Sequence, residues 1–486
     1  MKKRTLYILF TALFIGICLM PALGMLVFGE SEAAANEILA QRPSLTQPDG
    51  SFNENVTDEA TDYIADRFAG RQQFITAYAK LQAALFGESA SPKVVLGKKG
   101  WLFFSDTMDD YLHRDTLGGR EIHGICRTLE MMQEYAESQG ADFVFTVAPN
   151  KNSLASNAAY MPRTGKPFDT AKNLDMLENA LQSYQVNYVP LRETLDEPGL
   201  YHRLDSHWNR LGAARAYGLV MKTMNRKIID WSREDYDIIK EHKGDLYEML
   251  YPAGKELDEN MVFDRTFRFG YLDVTDVTPF AASPEIIAGY GEGNAPPPDK
   301  QLLETASAKG EGTLLMFRDS FGNALHPFFA EDFARAAFSR QMPYRLDWLA
   351  GVEADVLAVE IVERNLRDLA EMAPVMPAPT ADPGFSPAED PEREVFLTTE
   401  SSMELPGYIK VCGVYDFEGI PEDTLVYIST QTDLFEACPV GTDWTETAGH
   451  GCFTAYLPEE AVNSGILSVV IKGKRDWRIC TNLTMN

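Results

Sequence analysis

From residue 119 onward the sequence switches repeatedly between two hydrophobic periods, and this alternation limits what the chain can fold into. GREIHGICRTLEMMQEYAESQG spaces its apolar side chains as a helix does and stops at Gly140. ADFVFTVAPN is a short apolar run closed by Pro149. DTAKNLDMLENALQSYQ is helical again, VNYVPL is strand-like, and residues 210–224 are helical. Further on, GTLLMFRDS, DFARAAFS and ADVLAVEIV are all strand-like. Strands alternating with amphipathic helices predict an α/β fold, with a parallel sheet covered on both faces. Sites in such sheets lie beyond the carboxyl ends of the strands.

The rest of the 486-residue chain predicts further parts, because one ordinary core does not grow this large. Lys2, Lys3 and Arg4 precede an uncharged stretch at residues 5–28. A bilayer span needs roughly 20 apolar residues, and basic flanks stay in the cytoplasm. The expectation is therefore a cytoplasmic stub and transmembrane anchor at residues 1–28, with the body outside the cell. A cleaved signal peptide is the rival reading; its apolar region is usually shorter, about 7–15 residues.

Residues 29–92 predict a helical stalk. Ile64, Phe68, Phe74, Ile75, Tyr78, Leu81 and Leu85 recur at helical spacing, and simple packing against the next domain is the expected use of that stripe. Residues 93–373 form the α/β domain, with an irregular insertion or lid at about 225–312 that includes GYGEGNAPPPDK. The Pro-rich stretch 374–394 predicts a linker without regular elements. Residues 395–486 carry short β-type runs (EVFLTTE, GYIKVCGVY, TLVYIST, CFTAYLP, ILSVVIK) and predict an antiparallel β-sandwich.

Composition removes some functions. The formal net charge of −28 argues against nucleic acid as a partner, since a phosphate backbone demands a basic face. Cys412, Cys438, Cys452 and Cys480 cluster near the C-terminus, with no C-x-x-C pair to suggest zinc. Outside the cell they either form disulfides, in one of three pairings, or stay as buried thiols. No Gly-rich nucleotide fingerprint follows a strand, and no H-E-x-x-H occurs, so neither a cofactor nor a metal is expected.

Two stretches carry chemistry. In LLMFRDSFGNAL an apolar strand runs directly into Asp319, Ser320 and Phe321, with Gly322 read as allowing a sharp turn. Ser320 is thereby placed at the carboxyl edge of the sheet. In YHRLDSHWNRLGAARAY, Asp205 and His207 stand two apart, followed by Trp208. In an extended segment such residues point the same way. A serine needs a base, usually His, and that His needs a carboxylate on its other nitrogen. Ser320, His207 and Asp205 are thus candidates for nucleophile, base and orienting acid. Each also has a plainer use, as a helix cap, a turn residue or a polar side chain over Trp208.

DSHWNRLGAARAY together with FRDSFGNAL resembles the alginate O-acetyltransferase group and the related Asp-His-His-Trp proteins, whose SGNH-hydrolase-like domain is circularly permuted. VLGKKGWLFF and ADVLAVEIVERNL resemble the opening and closing segments of that domain. The resemblance covers about residues 94–372 and implies an SGNH-hydrolase-like three-layer fold. Ser206 replaces the first His of the Asp-His-His-Trp form, and Leu204 and Asn209 stand where threonines are common. The resemblance implies acetyl transfer through Ser320, onto a polysaccharide acceptor, with a membrane-bound O-acyltransferase partner as donor. An oxyanion hole is then required. The Ser320 N–H, Asn150, Lys151 and Asn323 are its candidates, with Trp208 beside the site. Arg318 is expected to pair with Asp319, or else with a polymer carboxylate. The rivals are a carbohydrate or small-ester deacetylase using the same three residues, and a non-catalytic surface glycan-binding protein.

Overall fold

The computed structural model describes residues 3–485, apart from 34–36, 38, 163–171, 273–278, 281–299, 352, 382–387, 417–418, 431–432, 442–449, 464–466 and 474–476. The loop GYGEGNAPPPDK therefore lies almost wholly outside the described residues. Helix α1 (Lys3–Phe28) contains the uncharged stretch and is long and apolar enough to cross a membrane. Helices α2 (Val56–Arg67) and α3 (Arg71–Phe86) follow. The expected packing of their apolar stripe is not what the structure has. Thr76 and Ala79 are the buried residues of α3, whereas Phe74, Tyr78, Leu81 and Leu85 are exposed. Hydrophobic period reveals a stripe but not what covers it.

A hairpin of β1 (Val94–Leu96) and β2 (Leu102–Phe104) and a short helix α4 (Met108–Tyr111) lead into the main body. There α5 (Gly119–Ser138), β3 (Asp142–Ala148), α6 (Ala155–Ala158), α7 (Asn173–Leu181), β4 (Tyr188–Pro190), α8 (Arg192–Leu195) and α9 (Arg210–Thr223) come in turn. After them lie β5 (Tyr236–His242), α10 (Asp245–Leu250), β6 (Asp258–Phe263), β7 (Phe269–Tyr271) and β8 (Leu302–Ser307). Then come β9 (Thr313–Phe317), α11 (Gly322–Asp332), β10 (Arg335–Ser339), β11 (Val356–Val362) and α12 (Leu366–Glu371).

Seven strands make one sheet in the order β4-β3-β11-β9-β10-β8-β7. The pairs from β4 to β10 are parallel; β8 and β7 join antiparallel at the far edge. The sheet is thus mixed, and its antiparallel edge comes from the stretch read as an insertion. Alternate strand residues serve two cores. Val144, Leu314, Met316 and Ala358 pack under α9 and α11, while Phe143, Phe145, Leu315, Phe317 and Leu357 pack under α5, α7 and α12. Burial on both faces explains the near-continuous apolar runs of β3, β9 and β11. The result is three layers. The arm formed by β5, β6 and α10 packs Leu246, Tyr247 and Leu250 against Val94, Leu102 and Leu204.

The C-terminal module is a sheet of eight strands: β12 (Thr380–Ala381), β13 (Ala388–Ser401), β14 (Tyr408–Asp416), β15 (Leu425–Ser429), β16 (Leu434–Ala437), β17 (His450–Pro458), β18 (Ser468–Lys472) and β19 (Trp477–Met485). Helix α13 (Glu459–Asn463) follows β17. Neighbours are antiparallel except β13 and β19, and a Cys438–Thr454 bridge joins the two ends of the sheet, curling it round. The Pro-rich stretch is more ordered than its composition predicts. β12 pairs with β16, and β13 begins before the stretch ends, its register shifting between Asp390 and Glu394 around Pro391. Such a shift lets an edge accommodate a residue with no N–H to donate. No disulfide is formed among the described residues, so none of the three pairings is present, and Cys126, Cys438 and Cys480 are buried.

Candidate active site

Leu314, Leu315, Met316 and Phe317 are buried in the centre of the sheet, and β9 delivers the next residues to its carboxyl edge. There the chain turns into α11. The turn is held by Asp319, whose Oδ1 accepts from the Phe321 N–H (2.8 Å) and whose Oδ2 accepts from the Val362 N–H (2.7 Å). Gly322 is needed for space rather than for an unusual φ: a Cβ there would lie 2.6 Å from Arg318 Cδ. Ser320 is left half-buried at the rim.

The second stretch is a pinched loop, not an extended strand. Tyr201 and Trp208 form a bridge at its base, and the Asn209 N–H donates to Leu200 O. Asp205 Oδ1 accepts from the His207 backbone N–H (2.9 Å) and lies 2.7 Å from His207 Nδ1. One carboxylate oxygen thus makes the turn and fixes the ring. On the other side, His207 Nε2 lies 2.8 Å from Ser320 Oγ, a residue 113 positions away. With Nδ1–H donating to Asp205, Nε2 is free to accept the serine proton. The three predicted residues therefore form one continuous hydrogen-bonded chain.

Two further residues belong to it that the sequence did not reveal. His242, at the end of β5, donates from Nε2 to Asp205 Oδ2 (2.8 Å), and the Asp245 N–H at the start of α10 donates to the same oxygen (3.0 Å). Ser206 Oγ donates to Asp245 Oδ2 (2.7 Å), which gives Ser206 a local structural role. His202 stacks on His242 at 3.8 Å.

Charge follows from these contacts. Burial opposes ionisation of Asp205, but the two imidazoles hold its carboxyl well below the usual range. Burial pulls His207 down, and the Asp205 charge and hydrogen bond more than reverse it, so its pKa is raised. His242 is raised by Asp205 against burial in the same way. His202, buried and facing His242, is lowered to about 4. Burial and the nearby Asp205 charge raise Asp245. Asp205, His207 and Asp245 bring one ligand-type atom each within 4.8 Å of one another, but hydrogen bonds already engage the facing atoms.

The other candidates separate into supports and rim. Trp208 is buried and donates from Nε1 to the Phe321 carbonyl (3.1 Å), tying the His loop to the residue after Ser320. Lys151 does not face a substrate space: it is buried, donates to the Asp205 carbonyl (2.7 Å), and burial lowers it to about 7. Arg318 does not pair with the Asp319 carboxylate as expected. It donates to the Asp319 carbonyl (3.1 Å) and to Asn323 Oδ1 (2.6 Å), because the carboxylate is already taken by two backbone N–H groups. Asn323 is left with its amide N–H2 to offer. The buried Asn150 amide has no hydrogen-bond partner among the described residues, while its backbone N–H donates to Glu363 (2.7 Å). Arg364 lies over the Phe104 and Phe321 rings, each 5.4 Å away, at the edge of the site.

Fold and site together define a three-layer SGNH-hydrolase-like α/β protein with an aligned Ser, His and Asp. Residues 94–264 match the family model described as the SGNH hydrolase-like domain of acetyltransferase AlgX. The match contains Asp205 and His207 and ends before Ser320. Among solved structures, a DHHW family protein from Eubacterium siraeum is 17% identical and covers 57% of this chain and 95% of its own, with a TM-score of 0.40. PatB1 of Bacillus cereus is 18% identical, covering 56% and 96%, at 0.41. The O-acetyltransferase domain of Pseudomonas putida AlgJ is 15% identical, covering 57% and 92%, at 0.35. No curated protein matches the sequence.

Proposed function

We propose that this protein is a polysaccharide O-acetyltransferase that works outside the cytoplasm through an acetyl-serine intermediate. The observation that carries the reading is the chain Ser320 Oγ–His207 Nε2 (2.8 Å) and His207 Nδ1–Asp205 Oδ1 (2.7 Å) at the carboxyl edge of the sheet. The match of residues 94–264 to an acetyltransferase domain model supports the acyl group as cargo.

Ser320 Oγ attacks the carbonyl carbon of the acetyl donor while His207 Nε2 takes its proton. Asp205 stabilises the imidazolium that results. The tetrahedral oxyanion is met by the Ser320 backbone N–H and by the Asn323 amide, which Arg318 orients by holding its oxygen. Collapse expels the donor's leaving group, which receives the proton from His207, and leaves acetyl-Ser320. A sugar hydroxyl then loses its proton to His207 and attacks the acetyl carbon. Ser320 leaves with that proton, and the acetyl ester is formed on the sugar. The binding-protein alternative gives no reason for this alignment.

In this reading α1 anchors the chain in the membrane with the body outside, and a membrane-bound O-acyltransferase supplies acetyl groups from within. The test incubates the full-length protein with an activated acetyl ester, with and without candidate glycans. An acetyl-mass adduct on Ser320 and ester formation on a glycan are expected, both lost in Ser320→Ala. Hydrolysis without transfer to any glycan would favour the deacetylase. Undiminished activity in Ser320→Ala would reject the mechanism.

A further inference from the structure

Helix α3 is built inside out. The residues it turns toward the body are Thr76 and Ala79, with Ile75 beside them. Thr76 Oγ1 accepts from the Ala253 N–H (2.9 Å), and Ala79 packs with Leu246 and Tyr247 of α10. The opposite arc holds Phe74, Ala77, Tyr78, Leu81, Ala84 and Leu85, all exposed, with Phe74, Tyr78, Leu81 and Leu85 at 56%, 59%, 57% and 65%. These positions follow the i, i+3, i+4, i+7 rule of a single helix face. A helix on an ordinary soluble surface directs such an arc inward. A continuous exposed apolar face marks something that covers it.

We propose that this outward face of α3 lies in the outer surface of the bilayer that α1 crosses. The proposal rests on α1 being a membrane span. Three observations favour lipid over a second copy or another protein. First, the face starts at the membrane boundary. A Cβ on Gly24, near the end of α1, would be 3.3 Å from Ala69 in the α2–α3 turn. Phe74 is only five residues further, in the first turn of α3, and the headgroup layer adds roughly 5–8 Å to each side of the hydrocarbon. Second, the helix suits an anionic surface. In a chain with 72 acidic and 44 basic residues, α3 carries no acid and an exposed Lys80, its Arg71 being paired with Glu37, whereas α2 just before it carries Asp58, Glu59, Asp62 and Asp66. An apolar arc flanked by an exposed lysine is the pattern of a helix lying in the interface. Third, the body also reaches that level: Phe28 and Gly29 share a cleft with Lys243, Glu248 and Pro252. Lys243 follows His242, which bonds Asp205, so an α3 lying in the surface holds the candidate site close to the membrane, where a membrane-borne acyl donor arrives.

The test uses the full-length chain in vesicles of phosphatidylethanolamine and phosphatidylglycerol. Phe74, Tyr78, Leu81 and Leu85 are replaced one at a time by photoreactive p-benzoylphenylalanine, as are Leu13 in α1 and the exposed Glu137 on α5. After illumination, lipid-mass adducts are expected at all four α3 positions and at Leu13, and not at Glu137. Adducts at Leu13 but not on α3, or chain-to-chain dimers through α3, would overturn the proposal and leave the anchor standing. Absence of lipid adducts at every position would remove both. Neither result bears on the acetyl-Ser320 chemistry, which the Ser320→Ala comparison reads separately.

Discussion

At the residue scale the proposed mechanism depends on one neutral imidazole. His207 accepts the Ser320 proton only when deprotonated, and Asp205 raises its pKa despite burial. Activity is therefore expected to fall as pH drops through a value above the ordinary histidine value of about 6.5. In Asp205→Asn, burial acts without the opposing charge, so the acid limb should move to lower pH. The plateau should fall by about a thousandfold or more, since the ring loses its orienting acceptor. kcat/KM for an activated acetyl ester against pH checks both; coincident acid limbs would contradict the assigned coupling. His242 supports the same carboxylate from behind. His242→Ala leaves Asp205 Oδ2 with one donor fewer, and a charge-assisted hydrogen bond of about 1.5–3 kcal/mol corresponds to roughly a ten- to hundredfold loss. His242→Gln, which keeps an N–H donor, should recover part of it in kcat.

At the element scale the site is held by how closely the β5–α10–β6 arm approaches the His207 loop. A Cβ on Gly244 would lie 2.3 Å from the Leu204 carbonyl oxygen. Backbone is on the other side, so Gly244→Ala is expected to push the arm off the loop at about 1–3 kcal/mol, with a larger loss of activity. Gly218, inside α9, has nothing within 4 Å of its would-be Cβ. Gly218→Ala should be neutral or stabilise by up to about 1 kcal/mol, as for a helix interior. Thermal melts of the pair separate crowding from propensity. The same contrast shows what sequence can carry. The β3, β9 and β11 strands were legible because burial on both faces leaves uninterrupted apolar runs. Asp205, His207 and Ser320 were legible because each sits where local geometry, a turn or a strand end, presents it. His242 and Asp245 carry no local signal: only the docking of a distant arm brings them to Asp205. Lys151 escapes a local reading for the same reason, since a distant loop supplies the carbonyl it bonds; Arg318 departs from expectation because two backbone N–H groups hold the Asp319 carboxylate, leaving it the Asp319 carbonyl and the Asn323 amide oxygen.

At the scale of the whole molecule, the C-terminal module is a seated part of the body and not a bead on a flexible tether. Arg127 on α5 donates to Glu436 on β16 through two bonds of 2.7 and 3.0 Å, with the side chains only 12% and 10% exposed. Cys438 and Val440 enter the same apolar core as Ile125, Leu129 and Met132. Gly124 has no room for a Cβ, because the Pro439 carbonyl oxygen would lie 2.4 Å from it. Removing one partner of a mostly buried ion pair leaves the other charge desolvated, which costs about 3 kcal/mol. Arg127→Met should therefore weaken the seat more than it weakens either part. Amides of β15, β16 and β18, within the module, should exchange hydrogen faster in Arg127→Met, while those of β3 and β11 keep their protection. Arg127→Met combined with Glu436→Met should recover much of the loss, because the most buried of the carboxylates that Arg127 pairs with is then gone, leaving Glu130 and the exposed Glu134. If the double variant is no better than the single one, the pair is not what holds the module. If protection falls equally in both parts, the seat and the seven-stranded sheet unfold as one unit.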